Sequence, residues 1–172
     1  MKISDYKRII IIGSPGSGKS YLSNKIAKFT GYNLIHLDNE FWNPNWVKTP
    51  KAEWIEKQKE FLKPEKWVVD GHYGSTLELR FEKSDMIIFL DINVLICLYR
   101  VIKRHGKKRL DLPEYLEEKY DKEFFCFLKY ICSFRKNNIL NIISLKEKYS
   151  NKLFIRLNSR KQVENFFNEL EK

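Results

Sequence analysis

The sequence is poor in the residues that mark special classes of protein. Its 172 residues include seven glycines, five prolines and three cysteines. So little glycine and proline excludes a collagen-like or low-complexity chain. Cys97, Cys126 and Cys132 show no Cys-x-x-Cys or Cys-x-x-His spacing, which argues against a zinc site. Their odd number reads as reduced thiols of the cytoplasm rather than a disulfide framework. Their neighbours are apolar, so each is expected to be a small core residue. No apolar run approaches the roughly 20 residues that a membrane-spanning helix needs. The run Ile9–Ile12 stops at Gly13, so no signal peptide is expected and a cytoplasmic location is.

Acidic side chains are also in deficit, 22 against 32 basic ones, for a net charge of +10. That balance favours anionic partners: nucleotides, phosphorylated metabolites or nucleic acid. Of these cations 24 are lysines, which coding bias can supply, so the eight arginines carry more information. Arginine is the better bidentate phosphate ligand, and Arg100, Arg104 and Arg109 fall in one short segment. What the chain does have is 43% apolar and 15% aromatic residues, enough for a core. Its length suits one domain, spanning 1–172.

Patterning predicts alternating strands and helices. Residues 8–12 are continuously apolar, as in a parallel strand buried on both faces. Further strands are predicted at 33–37, 66–70, 86–91 and 152–157. Helices are predicted at 17–30, closed by Gly31, at 51–62, and at 93–104 with Asn93 as N-cap. Another starts at Pro113, a long one covers 121–149 with a break near Asn137–Asn138, and a last one is capped by Ser159. Residues 39–50 read as a loop, punctuated by Pro44 and Pro50. The alternation implies an α/β fold with a parallel sheet and helices on both faces. Three of the strands end at or next to an aspartate, on the sheet edge where open α/β folds bind ligands.

Gly13-Ser14-Pro15-Gly16-Ser17-Gly18-Lys19-Ser20 fits G-x-x-x-x-G-K-[ST] at every fixed position and lies between a strand and a helix. Its glycines permit a backbone curl whose N–H groups converge on phosphate, aided by the helix N-terminus. Lys19 is expected on the outer phosphates of ATP and Ser20 on Mg²⁺. Asp70 or Asp91 can organise that metal through water, and Asp70 is preferred because Gly71 lets the ligand approach. Asp38 stands where a phosphoryl acceptor would sit, with Trp42 as part of an aromatic wall. From Arg100 to Leu110 the chain has six basic side chains and no acid. This reads as a lid, about 105–120, that closes over the transferring phosphoryl group. Arg80 and Arg135 are further candidates, for the acceptor site and for catalysis.

Gly13–Ser20, the stretch Leu34-Ile35-His36-Leu37-Asp38 with Phe41-Trp42, and Trp67-Val68-Val69-Asp70-Gly71-His72-Tyr73 together resemble the bacterial DNA topology modulation protein family. That family belongs to the adenylate kinase-like P-loop group, and the resemblance weakens after residue 140. It implies a three-layer P-loop NTPase fold of nucleotide-kinase type: five parallel strands in order 2-3-1-4-5, a short lid, and an acceptor-side insertion at about 39–65. By this resemblance Asp70-Gly71 matches the pair whose acid serves Mg²⁺. Arg100 and Arg104 match paired arginines that contact ATP phosphates and the adenine face, and Asn158-Ser159-Arg160 falls at the adenine-edge loop. Tyr21, Arg104 and Ser159 thus join Gly13–Ser20 as nucleotide-binding residues, and Lys19, Arg100, Arg104, Arg109 and Arg135 form the catalytic set. The family's Phe-Pro-Arg after Asp-Gly is absent, so the acceptor-phosphate arginine is missing there, and Arg80 is the candidate to replace it. The expected activity is transfer of the ATP γ-phosphoryl group to a small molecule. The alternative is a nucleotide-dependent regulator acting on DNA, although the sequence carries no nucleic-acid-binding signature.

Overall fold

The computed structural model describes residues 2–107, 115–116 and 119–170. Five strands form one parallel sheet: β1 (Arg8–Gly13), β2 (Asn33–His36), β3 (Trp67–Asp70), β4 (Met86–Leu90) and β5 (Leu153–Leu157). Their spatial order is β2-β3-β1-β4-β5, the predicted one, and every pairing is parallel. The helices are α1 (Lys19–Thr30), α2 (Leu37–Phe41), α3 (Lys51–Phe61), α4 (Leu77–Lys83), α5 (Val94–Arg104), α6 (Lys122–Lys148) and α7 (Arg160–Leu170).

The four isoleucines of β1 explain the three layers. Side chains alternate across a strand, so Ile9 and Ile11 join one hydrophobic cluster and Ile10 and Ile12 the other. The first cluster takes Leu22 and Ile26 of α1, Cys97 and Val101 of α5, and Phe166 and Phe167 of α7. The second takes Trp54 of α3, Leu77 and Phe81 of α4, and Phe134, Ile142 and Leu145 of α6. Each fully buried isoleucine contributes roughly 1.5–3 kcal/mol of transfer free energy. With both faces covered, β1 has no polar alternation to show, which is why it reads as an unbroken apolar run.

Several local expectations are corrected. Residues 39–50 are not a plain loop. They contain the end of α2 and a two-stranded ribbon, Trp42–Asn43 against Val47–Lys48. Helix α4, between β3 and β4, has no counterpart among the predicted elements. Helix α6 runs 27 residues without a break, because Asn138 turns its amide onto the Phe134 carbonyl at 2.7 Å instead of ending the helix. Cys97 is buried, but Cys126 and Cys132 are exposed on α6 rather than in the core. The helix predicted from Pro113 and most of the 105–120 lid, Arg109 included, lie outside the described residues. Among those described, no helix is long and apolar enough to cross a membrane.

Candidate functional site

The loop between β1 and α1 curls with positive φ at Gly16 and Gly18, +78° and +100°. At Gly16 a side chain is excluded outright: a Cβ there would lie 2.4 Å from the Cys97 carbonyl oxygen of α5. The Ser17 amide closes the curl on the Ser14 carbonyl at 3.1 Å. Lys19 spans the loop and donates from Nζ to the Ser14 carbonyl at 3.0 Å. Burial pushes the Lys19 ammonium below its usual pKa; nearby Asp38 and Asp70 oppose that shift, and nearby Arg104 adds to it. The Ser17 hydroxyl is buried in the loop with no protein partner. A positive helix end, a lysine and an orphaned donor around one hollow suit a phosphate group.

Arg100 and Arg104 flank this loop from α5. Arg100 donates to the Gly16 and Ser17 carbonyls at 3.3 and 3.2 Å, so it braces the curl from outside. Arg104 sits near enough to Lys19 and Cys97 for its charge to act on both. Tyr21 is exposed, with the Lys25 ammonium 5.1 Å from its ring centre. Ser159 accepts from the Gln162 amide at 3.3 Å and caps α7.

The three strand-end aspartates separate clearly. Asp70 is buried at the tip of β3, where it accepts from Ser23 Oγ at 3.2 Å and from His36 Nδ1 at 2.8 Å. At the following residue, Gly71, with φ of +132°, a Cβ would fall 2.7 Å from Leu37 Cβ, so β3 and α2 could not pack as they do. Asp91 instead pairs with Arg156 and Arg135. Of the two metal candidates, Asp70 is therefore the one whose charge reaches Lys19. Among the described residues no group of three or more His, Cys, Asp or Glu side chains could hold a metal alone. Ser20 and Asp70 fit Mg²⁺ that also binds phosphate oxygens and waters.

Asp38, on α2, accepts from the Tyr73 hydroxyl at 2.7 Å. Tyr73 has φ of +36°, a left-handed conformation that for a bulky residue costs of order 1–3 kcal/mol. Burial, then the Asp38 charge, pushes the Tyr73 phenol far above its usual pKa. The Trp42 ring packs edge-on against Phe41 and Trp46, at 4.9 and 5.5 Å between centres.

Arg80 does not serve this wall. Its side chain is 0% exposed, and its guanidinium donates to Gln58 Oε1, to Thr76 Oγ1 at 3.0 Å, and to the His72 and Tyr73 carbonyls. It clamps the 72–76 turn to α3 and has no face left for an acceptor. Arg135 pairs with Asp91 at 3.4 Å, just past the end of β4.

Three residues at the site were not given roles from sequence. His36 orients Asp70, and Gln58, a buried amide in α3, anchors Arg80. His72 donates from Nε2 to Asn138 Oδ1 at 2.9 Å, and burial lowers its pKa to about 4. His36 and His72 lie in the motif stretches that carry the family resemblance, whereas Gln58 carried no sequence signal.

Among solved structures, shikimate kinase from Acinetobacter baumannii in complex with shikimate is similar to this chain at a TM-score of 0.61 and 12% identity, covering 98% of this chain and 93% of that one. Shikimate kinase from Bacteroides thetaiotaomicron is similar at a TM-score of 0.56 and 17% identity, covering 96% of each chain. The chain has the fold of the P-loop kinases. No family model and no curated protein matches the sequence, so neither supports the topology-modulation resemblance.

Proposed function

We propose that the chain is an ATP- and Mg²⁺-dependent phosphotransferase acting on a hydroxyl of a small molecule. The observation that carries this is the convergence on one sheet edge of the Gly13–Ser20 loop, Lys19 at the head of α1, and the Asp38 and Asp70 carboxylates, whose charges act on Lys19. The loop amides and the α1 N-terminus hold the β- and γ-phosphates. Lys19, which rests on the Ser14 carbonyl, turns to the outer phosphate. Arg104 adds charge beside it, and Arg100 keeps the curl in shape. Tyr21 and Ser159 lie on the adenine side. When bound by Ser20 and, through water, by Asp70, Mg²⁺ neutralises charge on the transferring group. The acceptor oxygen bonds to the γ-phosphorus, the bond from that phosphorus to the bridging oxygen breaks, ADP leaves, and Asp38 takes the hydroxyl proton.

The resemblance to the DNA topology modulation family agrees with this reading in its kinase fold, and duplex binding plays no part in it. The test is ADP release from ATP·Mg²⁺ across a broad panel of hydroxyl compounds. Lys19→Ala is expected to lower turnover by about 10²-fold or more, about 2.7 kcal/mol, with the melting curve retained. Full activity in that variant overturns the donor site. Asp70→Asn is expected to lower turnover more than ATP affinity; equal losses assign the metal to another acid.

A further inference from the structure

We infer that the acceptor is a neutral, hydroxyl-bearing ring compound, and that a phosphate or carboxylate on it works against binding. This rests on the kinase reading above and narrows it.

Among the described residues, the arginines that could meet an anionic acceptor are committed elsewhere. Arg80 is 0% exposed, and both of its terminal NH2 groups donate inside the protein, to Gln58, Thr76 and two carbonyls. Arg135 is drawn to Asp91, which Arg156 also holds. Lys19, Arg100 and Arg104 cluster at the phosphate loop, where the donor's own charges need them. On the acceptor side stands an exposed carboxylate, Asp38, with one oxygen fixed by Tyr73 at 2.7 Å. The Tyr73 O–H donates to Asp38 Oδ1. Asp38 Oδ2 is left to accept from a ligand hydroxyl.

Around that carboxylate the surface is aromatic. Phe41, Trp42 and Trp46 stack edge to face, and Trp46 is 38% exposed. Tyr130 of α6 lies close enough to Asp38 to respond to its charge. Ring faces take the C–H face of a sugar or a planar base, and the carboxylate takes its O–H. A second anion there would meet Asp38 as a like charge with its solvation partly removed. Lys48, across the ribbon from Trp42, is the cation of segment 39–50.

The test uses matched pairs that differ by one anionic group: cytidine and its monophosphate, thymidine and its monophosphate, glucose and glucuronate, an inositol and an inositol phosphate. ADP release is measured with the whole chain and ATP·Mg²⁺, and tryptophan fluorescence with a non-hydrolysable ATP analogue reports binding. The neutral member of the productive pairs is expected to have at least a tenfold higher kcat/KM. Asp38→Asn lowers turnover of the neutral member and narrows the ratio between the two, a change that a merely structural role would not produce. Lys48→Ala leaves the ratio unchanged. Equal or better use of the anionic members overturns the inference while leaving the kinase reading intact. So does ATP binding with no neutral member giving either ADP or a fluorescence change. Failure of ATP itself to bind overturns the kinase reading and the inference with it.

Discussion

The donor and acceptor halves of the cleft are made in opposite ways. The donor half is a backbone device: a glycine curl, a helix end, and cations aimed at the curl. The acceptor half is a side-chain device, in which Arg80, Gln58, Thr76 and Tyr73 hold one another from α3, α4 and the turn after β3. Arginine appears in both with different duties. Arg100 grips carbonyls at the rim of the phosphate hollow, whereas Arg80 is walled in. Presence of an arginine near a site therefore says little until its partners are known.

The difference can be broken most forcefully at Gly16. In Gly16→Ala the new methyl meets the Cys97 carbonyl at 2.4 Å on a backbone with φ of +78°, so loop and α5 must part. ATP affinity is expected to fall at least tenfold, about 1.4 kcal/mol, as read by nucleotide titration; unchanged affinity would show the curl to be tolerant. Arg80→Met should do the reverse. It orphans the Gln58 and carbonyl acceptors and is expected to cost about 3 kcal/mol, lowering Tm by about 10 °C with ATP affinity retained. Lost affinity at an unchanged Tm would place Arg80 at the ligand after all.

A smaller effect separates the halves by pH. An unfolded histidine titrates near 6.5, and buried His72 at about 4, with the Arg80 charge as a further cause. Between those values the unfolded chain binds the extra proton, so stability present above pH 6.5 is lost as pH falls toward 4, by up to about 3 kcal/mol. Urea unfolding at pH 7 and pH 4.5 should show a shallower loss in His72→Gln than in the parent. Parallel losses in both would remove His72 as the source. The smallest effect is expected at Arg135→Gln. The 67% exposed Arg135 shares Asp91 with Arg156, so stability should change by less than about 1 kcal/mol. Turnover should stay within about twofold, and a hundredfold drop would restore Arg135 to the chemistry.

The same contrast governs what could be read from the sequence. The phosphate loop, the Asn93 cap and the Gly31 stop depend on neighbours within a few residues, and local spacing reveals them. The parallel strands were legible because continuous apolar runs and aspartate ends mark them, whereas their order came from the family resemblance. Helix α4 escaped because its seven residues, Leu77–Lys83, include a buried arginine that looks like a surface residue on paper. The roles of Arg80 and His72 rest on partners at separations of 22 and 66 residues, Gln58 and Asn138. No pattern of residue types encodes such pairs. The ribbon at 42–48 was hidden by Pro44, which reads as a loop but here opens a tight turn between two very short strands.

Helix α6 has a consequence for how the chain reaches this form. At 27 residues it is about 40 Å long, and it touches both hydrophobic clusters, through Ile131 in one and Phe134 in the other. Its Asn138 supplies the only hydrogen bond described for the His72 side chain, across 66 residues of chain. Closing so long a loop is entropically costly until the intervening elements have packed. Refolding should therefore set the β1, β3 and β4 pairings early and the His72–Asn138 bond late. A ribosome-bound chain that has emerged only through β4 would already carry the phosphate curl's strands and the Arg80 clamp, with His72 still lacking its Asn138 partner.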